Sequence, residues 1–459
     1  MIRRAAAQQT RLQLFDTAVD LFFSGRAAAC LDALRGHGYL ASKLLAARAY
    51  LRLDDPEHAL RILDGIEATD LFDARRAELS ILRAAALTAM RNFVKSRYAL
   101  DVARALVLGQ ASPALEAEYF AQEAIWSFSS GDSHSSAEAA ARTIEAGSVD
   151  VASEAAFSRA PDYLIPREHT VARAQHVLAI LAARDEDYAR QVEYERQAVA
   201  TFGQAPKLDL WAYARLLFNF AVCIRDFDLA ADAQTLRAVD MASWPSELNS
   251  ERFHIYSALG VSSALRGDHL GAFRELRKSA ESAPSAEYVI LASTDKAMLR
   301  RELGELMSAR EELEHAADLA DRVDWERSGE QRVALAHLAR EVAAFDAQRA
   351  RALLERYYGI RTALSPHLLN NSDRRLRAHE KYAEGTVLRA LGMTDEAKPC
   401  FAEAFDIWQP LGLDWLAALA AAELYELGGP AKFKTYATRQ AKLRPGSWIE
   451  RRAAQLKRR

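Results

Sequence analysis

The clearest chemistry in this sequence of 459 residues lies in cations and amides set one helical turn apart. Arg215 and Asn219 are four residues apart, which on a helix places both side chains on one face. Such a pair can hold a carboxylate by charge-assisted hydrogen bonds. Arg173, His176, His254, Arg301, Arg332, His379, Tyr382 and Arg389 occupy comparable places, and all ten are expected to face a common groove. The competing reading is an ordinary solvated helix face. A second concentration of charge lies between Pro430 and Arg459. There Lys432, Lys434, Arg439, Lys442, Arg444, Arg451, Arg452, Lys457, Arg458 and Arg459 accompany one acid, Glu450. This tail carries +9 and leaves −12 on the rest of a chain whose net charge is −3. Three readings stand for it: contact with nucleic-acid phosphates, docking on an acidic protein surface (the chain's own body included), or a solubilising cap. In the last case Trp448 and Ile449 seal the core of the final helices.

Other chemistry finds little support. No G-x-x-x-x-G-K-[ST] or G-x-G-x-x-G loop occurs, so no phosphate cradle is encoded. No H-E-x-x-H helix or G-x-S-x-G elbow is present. Ser129 to His134 superficially resembles a hydrolase serine segment, but Gly131, Asp132 and Ser133 are expected turn residues between two helices. His169 and His176 are seven apart and share a helix face without an evident third ligand. Cys30, Cys223 and Cys400 are isolated in helical stretches and read as small buried side chains. The expectation is a non-enzymatic chain with no cofactor and no metal. The N-terminal segment has no apolar core with a cleavage site, and no stretch is apolar enough to span a bilayer; the expected compartment is the cytoplasm.

The elements that must position these residues are helices. Half the residues are apolar and 27% are charged, enough to bury a large core, while the length exceeds what one core usually supports. Repetition resolves this. The clearest unit runs from Phe253 to Pro284: Tyr256, Leu259, Gly260 and Ser263 form one face, Arg266-Gly267-Asp268 form a turn, and Ala272, Leu276 and Ser279 form the facing stripe. Comparable anchors recur at Ala59, Tyr98, Ala137, Ala230, Ala309, Ala350 and Ala397, with a degenerate copy at Gln191. The sequence is expected to form an all-α α-solenoid, a right-handed superhelix of about nine to eleven helical hairpins.

These residues resemble the tetratricopeptide pattern in type and spacing. The anchors are roughly 37 to 47 residues apart, longer than the ~34 of the standard unit. Longer units resemble the tetratricopeptide arrays of bacterial transcriptional activators related to the maltose-regulon activator, and those of peptide-sensing regulators of Gram-positive bacteria. The chain departs from the former in having no ATPase loop. The likeness covers about residues 10 to 445 and transfers no site residues. Expected boundaries are repeats over 1–145, an irregular connection over 146–170, repeats over 171–445 and a basic capping helix over 446–459. Interruptions are also expected at Asp240 to Ser250 and Gly359 to Glu380. The functional expectation is a scaffold that binds a protein segment or peptide in its groove, in bacterial regulation as the resemblance implies. The alternative is a nucleic-acid-associated transcriptional regulator acting through the basic tail. A homodimer formed through terminal repeats, with Trp448 at an exposed end, is a further expectation.

Overall fold

The computed structural model describes residues 2–67, 71–108, 113–148, 165–205, 208–326, 333–363 and 374–457. Among them every long element is an α-helix and no strand occurs. Two compact units emerge: unit 1 is Met1–Phe220 with Pro245–Leu248, and unit 2 is Ala221–Trp244 with Asn249–Arg459. In chain order the helices begin with α1 (Ile2–Phe23), α2 (Ala27–Ala33), α3 (Leu40–Arg52), α4 (Pro56–Asp64), α5 (Asp73–Ala89), α6 (Phe93–Val107), α7 (Pro113–Ser130) and α8 (Ser133–Gly147). There follow α9 (Arg167–Arg184), α10 (Tyr188–Phe202), α11 (Leu210–Phe227) and α12 (Ala230–Arg237). Two 3-10 turns (Met241–Ser243 and Ser246–Leu248) precede α13 (Asn249–Leu265), α14 (His269–Glu281), α15 (Ala286–Leu303), α16 (Leu306–Ala320), α17 (Val333–Val342) and α18 (Ala347–Ala363). The last five are α19 (Arg374–Ala390), α20 (Thr394–Trp408), α21 (Asp414–Glu426), α22 (Ala431–Lys442) and α23 (Trp448–Lys457). The chain is thus an α-solenoid of tetratricopeptide-like helical hairpins. Of the expected interruptions, the turns at 241–248 are present, whereas 149–164 and 364–373 lie outside the described residues.

One local rule builds the hairpins. The fourth residue of each second helix is pressed against its partner: Cys30, Ala59, Ser96, Ser136, Ala233, Ala272, Ala309, Ala350 and Ala397 are all buried, with Gln191 as the partly buried variant. Small side chains there let two helices approach closely. At the matching spot on α13, a Cβ added to Gly260 would come 2.8 Å from Leu276 and 3.3 Å from the Ala272 carbonyl oxygen. Three anchors expected from the sequence were misplaced. Tyr98 is 73% exposed and Ala230 is exposed, while Ala137 is only partly buried. Their places are taken by Ser96, Ala233 and Ser136. The two serines tolerate burial because their hydroxyls donate to carbonyls of the preceding helix, Ala84 at 2.9 Å and Ala124 at 2.9 Å.

The turns follow a second rule. The residue before the second helix is often an acid or amide whose side chain accepts a backbone N–H three positions on, as in Asp55, Asn92, Asp132, Asp187 and Asp268. The residue before that is left-handed: Gly267 and Gly304 adopt it freely, whereas Asp54, Arg91, Glu186 and Asp228 hold φ between 54° and 60°. The segment Ser129 to His134 is one such turn, with Asp132 capping α8.

Within unit 2 the end of the chain returns to its beginning. The α23 helix packs on α21, α15 and α13. The Trp415 indole donates to the carbonyls of Arg225 and Asp226, each at 3.1 Å, and Arg444 pairs with Asp228 at 2.8 Å. The turn at Gly267 lies against Gly446, so closely that a Cβ on Gly267 would meet its backbone at 2.9 Å.

Candidate functional site: the first-helix face of unit 1

In unit 1 the first helices of successive hairpins lie side by side, α3 against α5, α5 against α7 and α7 against α9. Their shared face carries charge where a helix interior would ordinarily be apolar. Arg48 of α3 sits between two acids, 2.7 Å from Glu118 of α7 and 3.2 Å from Glu78 of α5. Glu78 also accepts Arg75 at 2.6 Å. Arg48, Glu78 and Glu118 are each less than a tenth exposed, so this is a buried lattice whose partial desolvation is offset by mutual pairing. Gln122, one turn beyond Glu118 on α7, is 4% exposed and its amide nitrogen has no hydrogen-bond partner among the described residues.

Toward the end of the face Arg52 pairs with Asp209, donates to the Phe22 carbonyl at 2.5 Å and lies over the Phe22 ring. Burial brings its guanidinium down to about 10, offset by Asp209, so it stays charged at neutral pH. Burial likewise pushes the Asp209 carboxyl up, against the pull of Arg52. Arg173 of α9 differs from these. It is half-buried and feels Glu118 and Asp209 at a distance, yet makes no hydrogen bond or ion pair with any described residue. Burial is the main force lowering its pKa.

His176, one turn from Arg173, faces the Glu195 carboxylate with Nδ1 at 2.9 Å and Asn219 with Nε2 at 3.5 Å. Asn219 also donates to the Arg215 carbonyl at 2.9 Å, and the exposed Arg215 guanidinium lies 5.2 Å from the centre of the Trp211 ring. Four of the residues singled out in the sequence, Arg173, His176, Arg215 and Asn219, therefore belong to neighbouring first helices of unit 1. His169 instead stacks on Phe202 at 4.1 Å, away from the polar partners of His176. Among the described residues no group of three or more metal-ligating side chains occurs.

The remaining candidates belong to unit 2 and are mostly engaged in internal contacts. His254 packs edge-on to Phe253 and Tyr288. Arg301 pairs with Glu341 at 2.9 Å and Glu302 at 3.0 Å, and Arg389 pairs with Glu423 and, at 2.6 Å, with Glu426. His379 lies against His337 and Trp408, and Tyr382 is buried against Phe401 and Trp408. Arg332 lies outside the described residues. A cavity of about 40 Å³ between these helices is lined by Arg301, Glu341, Tyr382, Glu423, Trp448 and Arg452, too small for more than a water or two.

The basic tail is largely folded onto unit 2. Arg444 is paired with Asp228, and Arg452 with Glu423 and Glu426, while Ser447 accepts the Glu450 N–H at the start of α23. Lys432, Lys434 and Arg439 lie near the rings of Phe433, Tyr425 and Tyr436. Lys442 and Arg451 are exposed. Arg458, Arg459 and the Lys457 side chain lie outside the described residues. Trp448, expected at an exposed end, is 3% exposed and meets Trp415 edge-on. Among the tail cations, Arg444 and Arg452 thus pair with acids of unit 2 itself.

Sequence reasoning did not identify Arg48, Arg52, Glu78, Glu118 or Asp209. The available signal was charge within an apolar run, as with Arg48 and Arg52 in LLAARAYLR. Among the described residues no helix is long and apolar enough to cross a membrane. No protein-family model matches the chain, and neither does any curated protein sequence. Among solved structures it is similar to the apo form of the quorum sensor NprR from B. thuringiensis, at 14% identity and TM-score 0.44, over 85% of this chain and 98% of that one. A Rap protein complexed with competence and sporulation factor matches at 11% identity and TM-score 0.38, over 86% and 99%. Yeast Tom70 matches at 11% identity and TM-score 0.38, over 98% and 96% of the two chains.

Proposed function

We propose that the chain is a non-catalytic binding module whose unit 1 holds an extended protein segment or peptide on the face of its first helices, gripping an acidic group of that segment. The observation that carries this reading is Arg173: a half-buried cation without a direct partner among the described residues, amid a lattice in which its neighbours are paired. Arg215, Asn219 and the unpartnered Gln122 amide supply further donors around it. An acceptor brought by a ligand satisfies Arg173 and relieves the cost of burying that guanidinium unpaired. The longer hairpins and their resemblance to regulator arrays extend the proposal to a regulatory role in a bacterial cytoplasm, with 146–170 as a connection between stretches of the array. The nucleic-acid alternative loses ground because Arg444 and Arg452 are already engaged by acids of unit 2.

The test is selection of a random peptide library on the full-length protein, followed by titration of selected peptides with free and amidated C termini. Arg173→Gln is expected to weaken binding about tenfold or more while leaving the thermal midpoint unchanged or higher. The Arg215→Ala/Asn219→Ala double variant is expected to do likewise. Affinities that both variants leave intact would remove this face from the binding site.

A further inference from the structure

The opposite side of α3 carries a separate feature. On a helix Lys43, Ala46, Tyr50 and Leu53 fall within one stripe, roughly 100–180° around the axis from Arg48 and Arg52. That stripe, with α2 and α4, borders an open cavity of about 600 Å³. This is within the range of small-molecule sites. One wall is apolar, built from Leu31, Leu34, Ala46 and Ile62, with Tyr50 and the half-exposed Leu53 beside it. The other wall is polar. Ser42 is 1% exposed, yet its hydroxyl has no hydrogen-bond partner among the described residues, and neither has the buried Nδ1 of His37.

The charges around this cavity do not balance. Arg35 is paired with Asp32 at 2.8 Å. Lys43 reaches only the Gly65 carbonyl, at 3.4 Å, and Arg61 lines the cavity with no ion pair to a described residue. Two cations therefore stand beside an apolar wall with no carboxylate of their own among the lining residues.

We propose that this cavity binds a small amphipathic carboxylic acid, its apolar body against Leu31, Leu34, Ala46 and Ile62 and its carboxylate toward Lys43 and Arg61. The site is independent of the peptide-binding reading, because it lies on the other side of α3 and uses none of the same residues.

The test is isothermal titration of the full-length protein with octanoate, octanol and octylamine at constant ionic strength. Octanoate is expected to bind saturably, and octanol and octylamine to bind about tenfold more weakly or not at all. Lys43→Gln and Arg61→Gln, both at positions open to solvent, should each lower octanoate affinity about three- to tenfold, because each removes one charge-assisted contact. Ala46→Phe should block binding by filling the cavity, with far-ultraviolet circular dichroism checking that the helices persist. Equal binding of octanoate and octanol overturns the proposal, as does octanoate binding that survives both charge variants. Absence of saturable octanoate binding to the unaltered protein overturns it too.

Discussion

Replacing Arg48 by methionine isolates what the charge lattice of unit 1 contributes. Methionine keeps most of the buried stem and removes only the guanidinium. Glu78 retains Arg75 at 2.6 Å, so one of the two acids stays paired. Glu118 loses its direct cation at 2.7 Å and keeps only the more distant Arg173. Breaking a buried ion pair from one side typically costs about 3–5 kcal/mol, and the surviving partners place this case near the lower end, about 3 kcal/mol. That corresponds to roughly a 150-fold rise in local opening. Hydrogen exchange read by mass spectrometry on peptides from α3, α5 and α7 measures this opening without requiring the whole chain to unfold in one step. Adding Glu118→Gln to Arg48→Met removes the stranded charge and is expected to recover about half of the loss. If Arg48→Met leaves exchange within about threefold of the unaltered protein, or the second change recovers nothing, the lattice is not a stabilising element and the reasoning fails.

Two other perturbations test the construction of unit 2. Gly267→Ala forces a left-handed backbone on an L residue and drives its Cβ to 2.9 Å from Gly446, so a loss of about 2 kcal/mol or more is expected in denaturant titration, with exchange rising in residues 444–457. Gly304→Ala, which meets no atom within 4 Å, should cost only the conformational term of about 1 kcal/mol. His254, half-buried beside Phe253 and near Arg225, has its pKa lowered by desolvation from 6.5 to about 4. Its neutral form is favoured by folding, so that contribution is complete above pH 6.5 and is lost progressively as pH falls toward about 4. Urea titrations of His254→Phe should show a shallower decline across this window, and an unchanged slope would remove His254 from the account.

The hairpin architecture was legible because its rule is local. Ala59, Ala272, Ala309, Ala350 and Ala397 are small residues at a fixed place in each second helix, and turn and cap residues precede them. Ser96 and Ser136 escaped notice because a polar side chain reads as exposed until a carbonyl twelve residues earlier is seen to accept from it. The neighbouring Tyr98 and Ala137 drew attention by being apolar. The candidate site was legible only by halves. The helix-turn spacing of Arg215 and Asn219 is written in the sequence, but the partners that hold Arg48 come from two other hairpins. The partners of the tail were hidden for the same reason. Its ten cations stand together in the sequence, while the acids that neutralise Arg444 and Arg452 sit at Asp228, Glu423 and Glu426.

The return of α23 to α13 and α15 changes how unit 2 should come apart. In an open array each hairpin touches only its neighbours, so melting starts at whichever end is weakest and travels inward. Unit 2 has no such loose end among its described helices: Trp415, Arg444 and Gly446 tie the last turns to Arg225, Asp228 and Gly267. Loss of the final helix therefore uncovers α13 and α15 together with α21 and α22. Opening becomes a single concerted event, and a chain cut short near Pro445 is expected to fray at α13 as readily as at α22.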